Sequence, residues 1–397
     1  MKIAERVARL GTETAFAVSA SAAAFAAEGN KVYPFHLGDM NIRTPDNIIA
    51  AAHKAMLDGK TGYCSNCGIA PLREALADDI NASRGLSYTM DNVVIQPGGK
   101  PTIGKFFLAL MNPGDEVLYP NPGYPIYESM IEFHGGVALP YGYTEGEVNF
   151  RIDTDSIARQ ITPRTRFIVI NDLQNPTAAE CTDEEFARLR RIVLDNDLTV
   201  LCDEAYFDMR YEGVSRSFAA LDGMADRCVI LYTFAKKFAM TGWRLGASIG
   251  PAEVVDVIAK LNVNDESCSN HFIQYGAIEA LTGDQSGSKR ILEILHERRD
   301  AAVDALSAID GVRCFRPHAT FYLFPNVTEA MARKGCDDYE QFRLDCLRAT
   351  GVSFCTRLHF GRAAPGETER YIRLAYSGID TPEIVEGLAK LKDYLES

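Results

Sequence analysis

The sequence predicts an α/β fold: a mostly parallel sheet sandwiched by helices, with a smaller α+β domain beside it. Three observations lead there. The middle of the chain alternates short apolar runs with longer helical patterns, which is how buried strands and their crossover helices read. From about Lys289 the pattern changes to a long charged helix, Lys289 to Ile309, followed by strand-like pieces at Thr320 to Phe324 and Tyr371 to Tyr376. That order suits a smaller α+β unit. No repeat, low-complexity tract or Pro/Ser linker interrupts the 397 residues. Two or three domains are expected at about 150 residues each, sharing one compact body.

The elements follow in order. Thr14 to Ala27, with Arg6 and Arg9 before it, has the outline of a targeting segment. It is Ala- and Ser-rich rather than Leu-rich, is bordered by Glu13 and Glu28, and closes on Gly29-Asn30. Those are helix signals, so we read an N-terminal helix. The run Val93 to Ile95 leads into Gly98-Gly99 and then the amphipathic stretch Thr102 to Met111. Arg166 to Ile170, Leu198 to Cys202, Cys228 to Tyr232 and Leu245 to Ile249 follow. Each is bounded by turn or helix signals, such as the start Thr182-Asp183-Glu184-Glu185.

Charge and composition narrow the function. The formal net charge of −13 repels polyphosphate and anionic membranes, so no nucleic acid and no membrane partner is expected. No apolar run approaches the roughly 18 residues a span needs. Ten scattered cysteines suit a reducing cytosol and a cytoplasmic protein. Cys64-x-x-Cys67 lacks the further ligands a zinc site needs, and the seven histidines have no metal spacing, so no metal is expected.

The chemistry gathers at strand ends, where open α/β sheets bind ligands. Thr233 to Gly246 reads TFAKKFAMTGWRLG and follows the run Cys228 to Tyr232. A lysine flanked by Phe234 and Phe238 can be partly desolvated, which frees its amine for Schiff-base chemistry. Arg244 can return to the same pocket as a phosphate fork. Asp203-Glu204-Ala205-Tyr206 ends another strand, and a buried carboxylate there could keep a ring nitrogen protonated. Asn175-Pro176-Thr177 gives a third rim position, and Gly98-Gly99-Lys100 opens a helix whose N–H groups suit a phosphate. Taken singly, each also fits a duller role: a solvated Lys pair, a helix cap, a turn, a loop.

Taken together these stretches resemble the pyridoxal-phosphate-dependent class I/II aminotransferases, in their aspartate-aminotransferase-like, fold type I branch. The resemblance runs through Leu37-Gly38, YCSNCGIAPLREAL (Tyr63 to Leu76), GGK, NPGYPIY, NPT, DEAY, AKKFAMTGWRLG and YIRLAY (Tyr371 to Tyr376). It implies pyridoxal 5′-phosphate as cofactor, amino acid and 2-oxo acid substrates, and a homodimer with shared active sites. It implies Lys236 as the Schiff-base lysine and proton shuttle, by its eight-residue offset to Arg244. Asp203 would pair with the pyridinium nitrogen, Tyr206 and Asn175 with the phenolic oxygen, and Tyr124 would stack on the ring. Thr233, Arg244 and the backbone at Gly99 and Lys100 would hold the phosphate, joined by Tyr63 from the neighbouring subunit. Arg373 would grip the substrate carboxylate, with the backbone at Gly38 assisting. We divide the chain into a large cofactor-binding domain, 46–285, and a small domain from 1–45 with 286–397.

Four departures from the family pattern stand out: Ala178 after NPT, Gln96-Pro97 and Pro101 around the phosphate loop, Gly38-Asp39-Met40-Asn41, and Thr356-Arg357 ahead of Phe360-Gly361. Lys100 is a candidate for the distal carboxylate of aspartate or glutamate, with Arg357 competing for that task. The leading expectation is an aminotransferase working by a ping-pong cycle. The alternative is a lyase or synthase of the aminocyclopropane-carboxylate-synthase type. A cofactor-binding regulator ranks last, since no basic extension is present.

Overall fold

A computed structural model describes residues 1–11 and 15–397. Its centre is a seven-stranded sheet. In spatial order the strands are Val93–Gln96, Gly246–Ile249, Cys228–Thr233, Thr199–Asp203, Thr165–Ile170, Glu116–Pro120 and Val137–Tyr141. All run parallel except Gly246–Ile249, which is antiparallel to both neighbours. The run was expected, but its direction carries the consequence. The twelve residues between Thr233 and Gly246 form turns around Lys236 and the short helical turn Thr241–Trp243, with none of the crossover helix that usually returns a chain to a parallel strand. The chain therefore turns straight back, with Gly246 opposite Thr233, and Arg244 stays on the rim that holds Lys236.

All the strands but Val137–Tyr141 are largely buried on both faces, and their period-two alternation sorts side chains into two layers. Ile168, Ile170, Val200, Cys202, Ile230 and Tyr232 join one core, beneath the helices Ala70–Arg84, Asp183–Asp195 and His271–Thr282. Phe167, Val169, Leu201, Val229 and Leu231 join the other, beneath Lys100–Leu110 and Ile126–Phe133. Glu116–Pro120 and Val137–Tyr141 were not read from the sequence. The second is an edge strand with little burial and a proline at position 140, where a missing N–H is tolerated.

A further core fills the body built from both chain ends. The helices Ser286–Ser307, Tyr339–Thr350 and Thr381–Glu396 pack on a three-stranded antiparallel sheet of Tyr322–Leu323, Ile372–Ala375 and Cys355–Thr356. Tyr33–Pro34 pairs with Val352–Ser353. Tyr206 and Met209 enter this core from the large sheet's side, so the two bodies meet beside the rim. The N-terminal helix spans Ala15–Ala27. Gly29 (φ 90°) donates to Ala26 O, and the Asn30 side chain to Phe25 O, which ends the helix as read. Thr14, the expected start, and Glu13 lie outside the described residues.

Candidate active site

Polar residues at the ends of Thr199–Asp203 and Cys228–Thr233 open onto a single cavity of about 590 Å³. Asp203, Tyr206, Thr233, Lys236, Arg244, Gly99, Lys100, Tyr124, Asn175, Gly38 and Arg373 all line it. Tyr63 does not: its side chain is 88% exposed, away from the cavity of its own chain.

Asp203 continues the alternation of its strand onto the face of Leu201, toward the helix Ile126–Phe133. There Tyr127 donates to its Oδ2 at 2.5 Å, and the Ala205 N–H donates to its Oδ1 at 3.1 Å. Burial raises the Asp203 pKa, opposed by those hydrogen bonds and by the charge of Lys236. The Lys236 ammonium donates to Gly38 O at 2.9 Å and lies 5.1 Å from the ring centre of Phe321 and 5.9 Å from that of Tyr206. Tyr206 shares a hydrogen bond of 2.7 Å with Tyr322 across the meeting of the two bodies.

The phosphate-loop region is shaped by glycines. A methyl at Gly98 would fall 2.2 Å from Arg244 Nη2, and one at Gly99 would fall 2.8 Å from Leu231 Cδ2. One at Gly246 would sit within 2.7 Å of Gly98 C, Gly99 N and Tyr232 O. Loop, strand and guanidinium can close together only without those side chains. Arg244 itself takes φ 55° and donates to Thr241 O at 2.7 Å. The helix Lys100–Leu110 starts here, so its N–H groups, the Thr233 hydroxyl and Arg244 offer anion donors at one end of the cavity.

At the other end lies Arg373, 4% exposed. Nη1 donates to Asn175 Oδ1 at 3.3 Å and Nη2 to His36 O at 2.5 Å, while Nε has no hydrogen-bond partner among the described residues. Among the described residues no carboxylate pairs with it. A buried cation lacking an acid is costly unless an anion arrives. Its charge acts on His36, whose pKa falls to about 4 through burial and then the nearby Arg373 and Arg343.

The cavity residues without a role in the sequence reading include Tyr127, Asn171, Tyr322 and His359. Asn171 donates to Asp203 O at 3.0 Å and accepts from the Asn175 N–H at 3.1 Å, locking two rim positions together. Only Tyr127 had a signal, three residues after Tyr124 in NPGYPIY. Arg357 requires a correction. It is 2% exposed and bound by Glu367 at 3.0 Å through both Nε and Nη2, and it also donates to the carbonyls of Gly361 and Arg362. It braces its own loop and leaves Lys100, with Nζ 5.6 Å from the Tyr124 ring centre, as the candidate for a distal carboxylate. Ala178 adopts φ 57°, the left-handed region that glycine enters freely, so the departure costs strain there and alters no cavity contact.

The donor and acceptor set fits pyridoxal 5′-phosphate. There is an anion seat at the glycines, a buried carboxylate for a ring nitrogen, a phenol and an amide for a phenolate, and an amine between them. A separate cation, without an acid among the described residues, suits a carboxylate substrate.

Residues 31–391 match the family Aminotransferase class I and II. The chain is 32% identical over 378 residues to an aspartate aminotransferase of Musicola paradisiaca, covering 95% of this chain and 92% of that protein. The structure of the aspartate aminotransferase from Thermus thermophilus with maleate matches at a TM-score of 0.90 and 29% identity, over 99% of each chain. That of the alanine aminotransferase from Pyrococcus furiosus matches at 0.90 and 27%, over 100% of both. These relatives are aminotransferases, which does not favour the lyase or synthase alternative.

Proposed function

The chain belongs to the class I and II aminotransferases, and we propose that this cavity holds pyridoxal 5′-phosphate and takes dicarboxylic amino acids as donors. The acceptor is a 2-oxo acid, and the two half-reactions form a ping-pong cycle. One observation carries the reading: Arg373, a buried arginine without an acid among the described residues, shares a cavity with the amine of Lys236 and the carboxylate of Asp203.

Thr233, Arg244 and the backbone at Gly99 and Lys100 would hold the phosphate. Asp203 would pair with the ring nitrogen, Tyr206 and Asn175 with the phenolic oxygen, Tyr124 with the ring face, and Lys236 Nζ with the aldehyde carbon. When bound, the group draws electrons from the substrate α-carbon and carries the amino group between half-reactions. Arg373 grips the α-carboxylate through two N–H groups, with the backbone at Gly38 assisting, which fixes the bond to be broken. Lys236 then takes the proton from the α-carbon, and the Gly38 carbonyl at 2.9 Å steadies the ammonium that forms. Tyr127 keeps Asp203 oriented and, with Lys236, favours its charged form against burial. Leu37, Phe360 and Tyr322 wall the cavity. Lys100 takes the distal carboxylate of aspartate or glutamate; the naming of several relatives as aspartate aminotransferases supports that donor class.

The reading includes a homodimer in which Tyr63 reaches the phosphate of the neighbouring subunit. The outward exposure of Tyr63, with Leu57 75% exposed on the helix before it, supports this. It keeps 46–285 as the cofactor-binding domain and 1–45 with 286–397 as the small domain, supported by the separate hydrophobic cores. It also keeps the cytoplasmic location. Among the described residues no helix is long and apolar enough to cross a membrane.

A donor screen with 2-oxoglutarate, oxaloacetate and pyruvate as acceptors tests the reading. Aspartate or glutamate is expected to bleach the yellow holoenzyme. Lys236→Ala is expected to lose the visible band and at least about 10⁴-fold in turnover. Turnover surviving in that variant overturns the assignment.

A further inference from the structure

We propose that His359 selects the amino donor by its side chain, presenting a fixed, uncharged N–H to a terminal oxygen of a carboxylate or amide. His359 lies in the short helical turn Arg357–Phe360 and lines the cavity. Its Nδ1 accepts the backbone N–H of Thr356 at 3.0 Å and lies 2.8 Å from Thr356 Oγ1. A backbone N–H can only donate, so Nδ1 holds a lone pair and the neutral ring carries its proton on Nε2. Nε2 sits on the opposite edge of the imidazole from Thr356. Among the described residues nothing accepts its hydrogen bond.

The charge state is as constrained as the tautomer. A second proton would have to enter at Nδ1, against the Thr356 N–H. Burial lowers the His359 pKa, and the charges of Arg343 and Arg373 act the same way, against the pull of Glu340 and of a hydrogen bond with the Thr356 backbone. The ring therefore offers one donor and no charge.

Its position gives the donor a use. The next residue, Phe360, lies against the Arg373 guanidinium, 4.7 Å from Cζ to the ring centre. His359 thus stands beside the wall of the seat that takes the α-carboxylate, and the inference rests on that reading of Arg373. A substrate anchored there places its side chain in the same cavity, whose lining also includes Phe16 and Leu37. An aliphatic side chain would strip Nε2–H of water and return nothing. One ending in oxygen restores the hydrogen bond, and discrimination of this kind is large because the unpaired donor is penalised.

His359→Asn separates this role from a merely structural one. Its Oδ1 can still accept the Thr356 N–H, but the Nε2–H is gone. Calorimetry on the holoenzyme would compare glutarate with pentanoate, which has the same carbon count and one carboxylate fewer. Glutarate binding is expected to weaken on the order of tenfold while pentanoate stays within about twofold, as near-neutral changes do. The value of kcat/KM for glutamate should fall by a similar factor through KM, and that for alanine should not. His359→Gln, which restores an N–H near the Nε2 position, is expected to keep the glutarate preference. Equal weakening of both ligands in His359→Asn, or no weakening, would make the histidine a cap alone and overturn the inference. Absence of transamination in the wild type, with the glutarate preference lost on substitution, would instead refute the proposed function and leave this assignment standing.

Discussion

Two sets of charges lie back to back at the rim of the sheet. In front, Asp203, Lys236 and Arg373 face the cavity. Behind, the next residues along the chain, Glu204 and Lys237, meet Arg84 and Asp208 beside the helix Ala70–Arg84. Arg84 Nε donates to Glu204 at 2.6 Å, and Ser217 Oγ donates to the other carboxylate oxygen. Lys237 Nζ lies 3.3 Å from Asp208, and the Arg84 guanidinium lies 3.8 Å from the Phe207 ring centre. Arg84 and Arg373 are buried alike, at 5% and 4% exposure, yet among the described residues only Arg84 of the two has an acid. Burial alone therefore does not mark the site. The mark is a buried charge whose counterpart the protein withholds.

Three measurements would break or sharpen that contrast. The largest effect is expected from Arg373→Met, which should lower kcat/KM on the order of 10²–10³-fold for any α-carboxylate donor. Its melting temperature should hold or rise, since an unpaired buried cation has been removed; a marked fall would place Arg373 among the structural charges. Arg84→Met should behave in the opposite way. Leaving Glu204 buried and alone is expected to cost about 3 kcal/mol of stability in denaturant unfolding, with kcat of the folded protein changed only a few-fold. A larger loss of rate than of stability would erase the distinction between front and back.

The smallest effect concerns pH. His36 has its pKa lowered to about 4 in the fold, from an ordinary value of 6.5. The unfolded chain therefore binds the proton first, and stability present above pH 6.5 is lost as the pH falls toward 4. Between pH 7.5 and 5.5 this amounts to about 1.4 kcal/mol, read as the difference in unfolding free energy between wild type and His36→Gln. Because Arg373 contributes to the shift, the same difference should shrink in an Arg373→Met background. An unchanged difference would detach His36 from the cavity's electrostatics.

The strand ends were legible because each apolar run stops at a polar residue that can reach a ligand, as at Asp203 and at the turn holding Lys236. The layering was legible for the same reason in reverse, since uninterrupted apolar runs are buried on both faces. The direction of Gly246–Ile249 was not, because a short, mostly apolar run looks alike read either way, and the twelve residues before it are enough for a crossover as well as for a direct return. Tyr127 reaches Asp203 across 76 residues, and Tyr206 meets Tyr322 across 116. No local period reports such partners. Arg357 misled as an arginine near the substrate side, because Glu367, which claims it, sits ten residues on in an irregular loop without pattern. His359 showed only its lack of metal spacing, since its tautomer depends on a backbone N–H that no sequence displays.

The anion seat at Gly98, Gly99 and Gly246 is made by subtraction. Most functional sites fail when a side chain is trimmed; this corner is expected to fail when one is added. A single extra carbon at position 98 would occupy the space of the guanidinium, and one at 246 would wedge the loop from the strand. The grip on a phosphate that we propose is thus stored as emptiness, held open by three residues that contribute no side chain of their own.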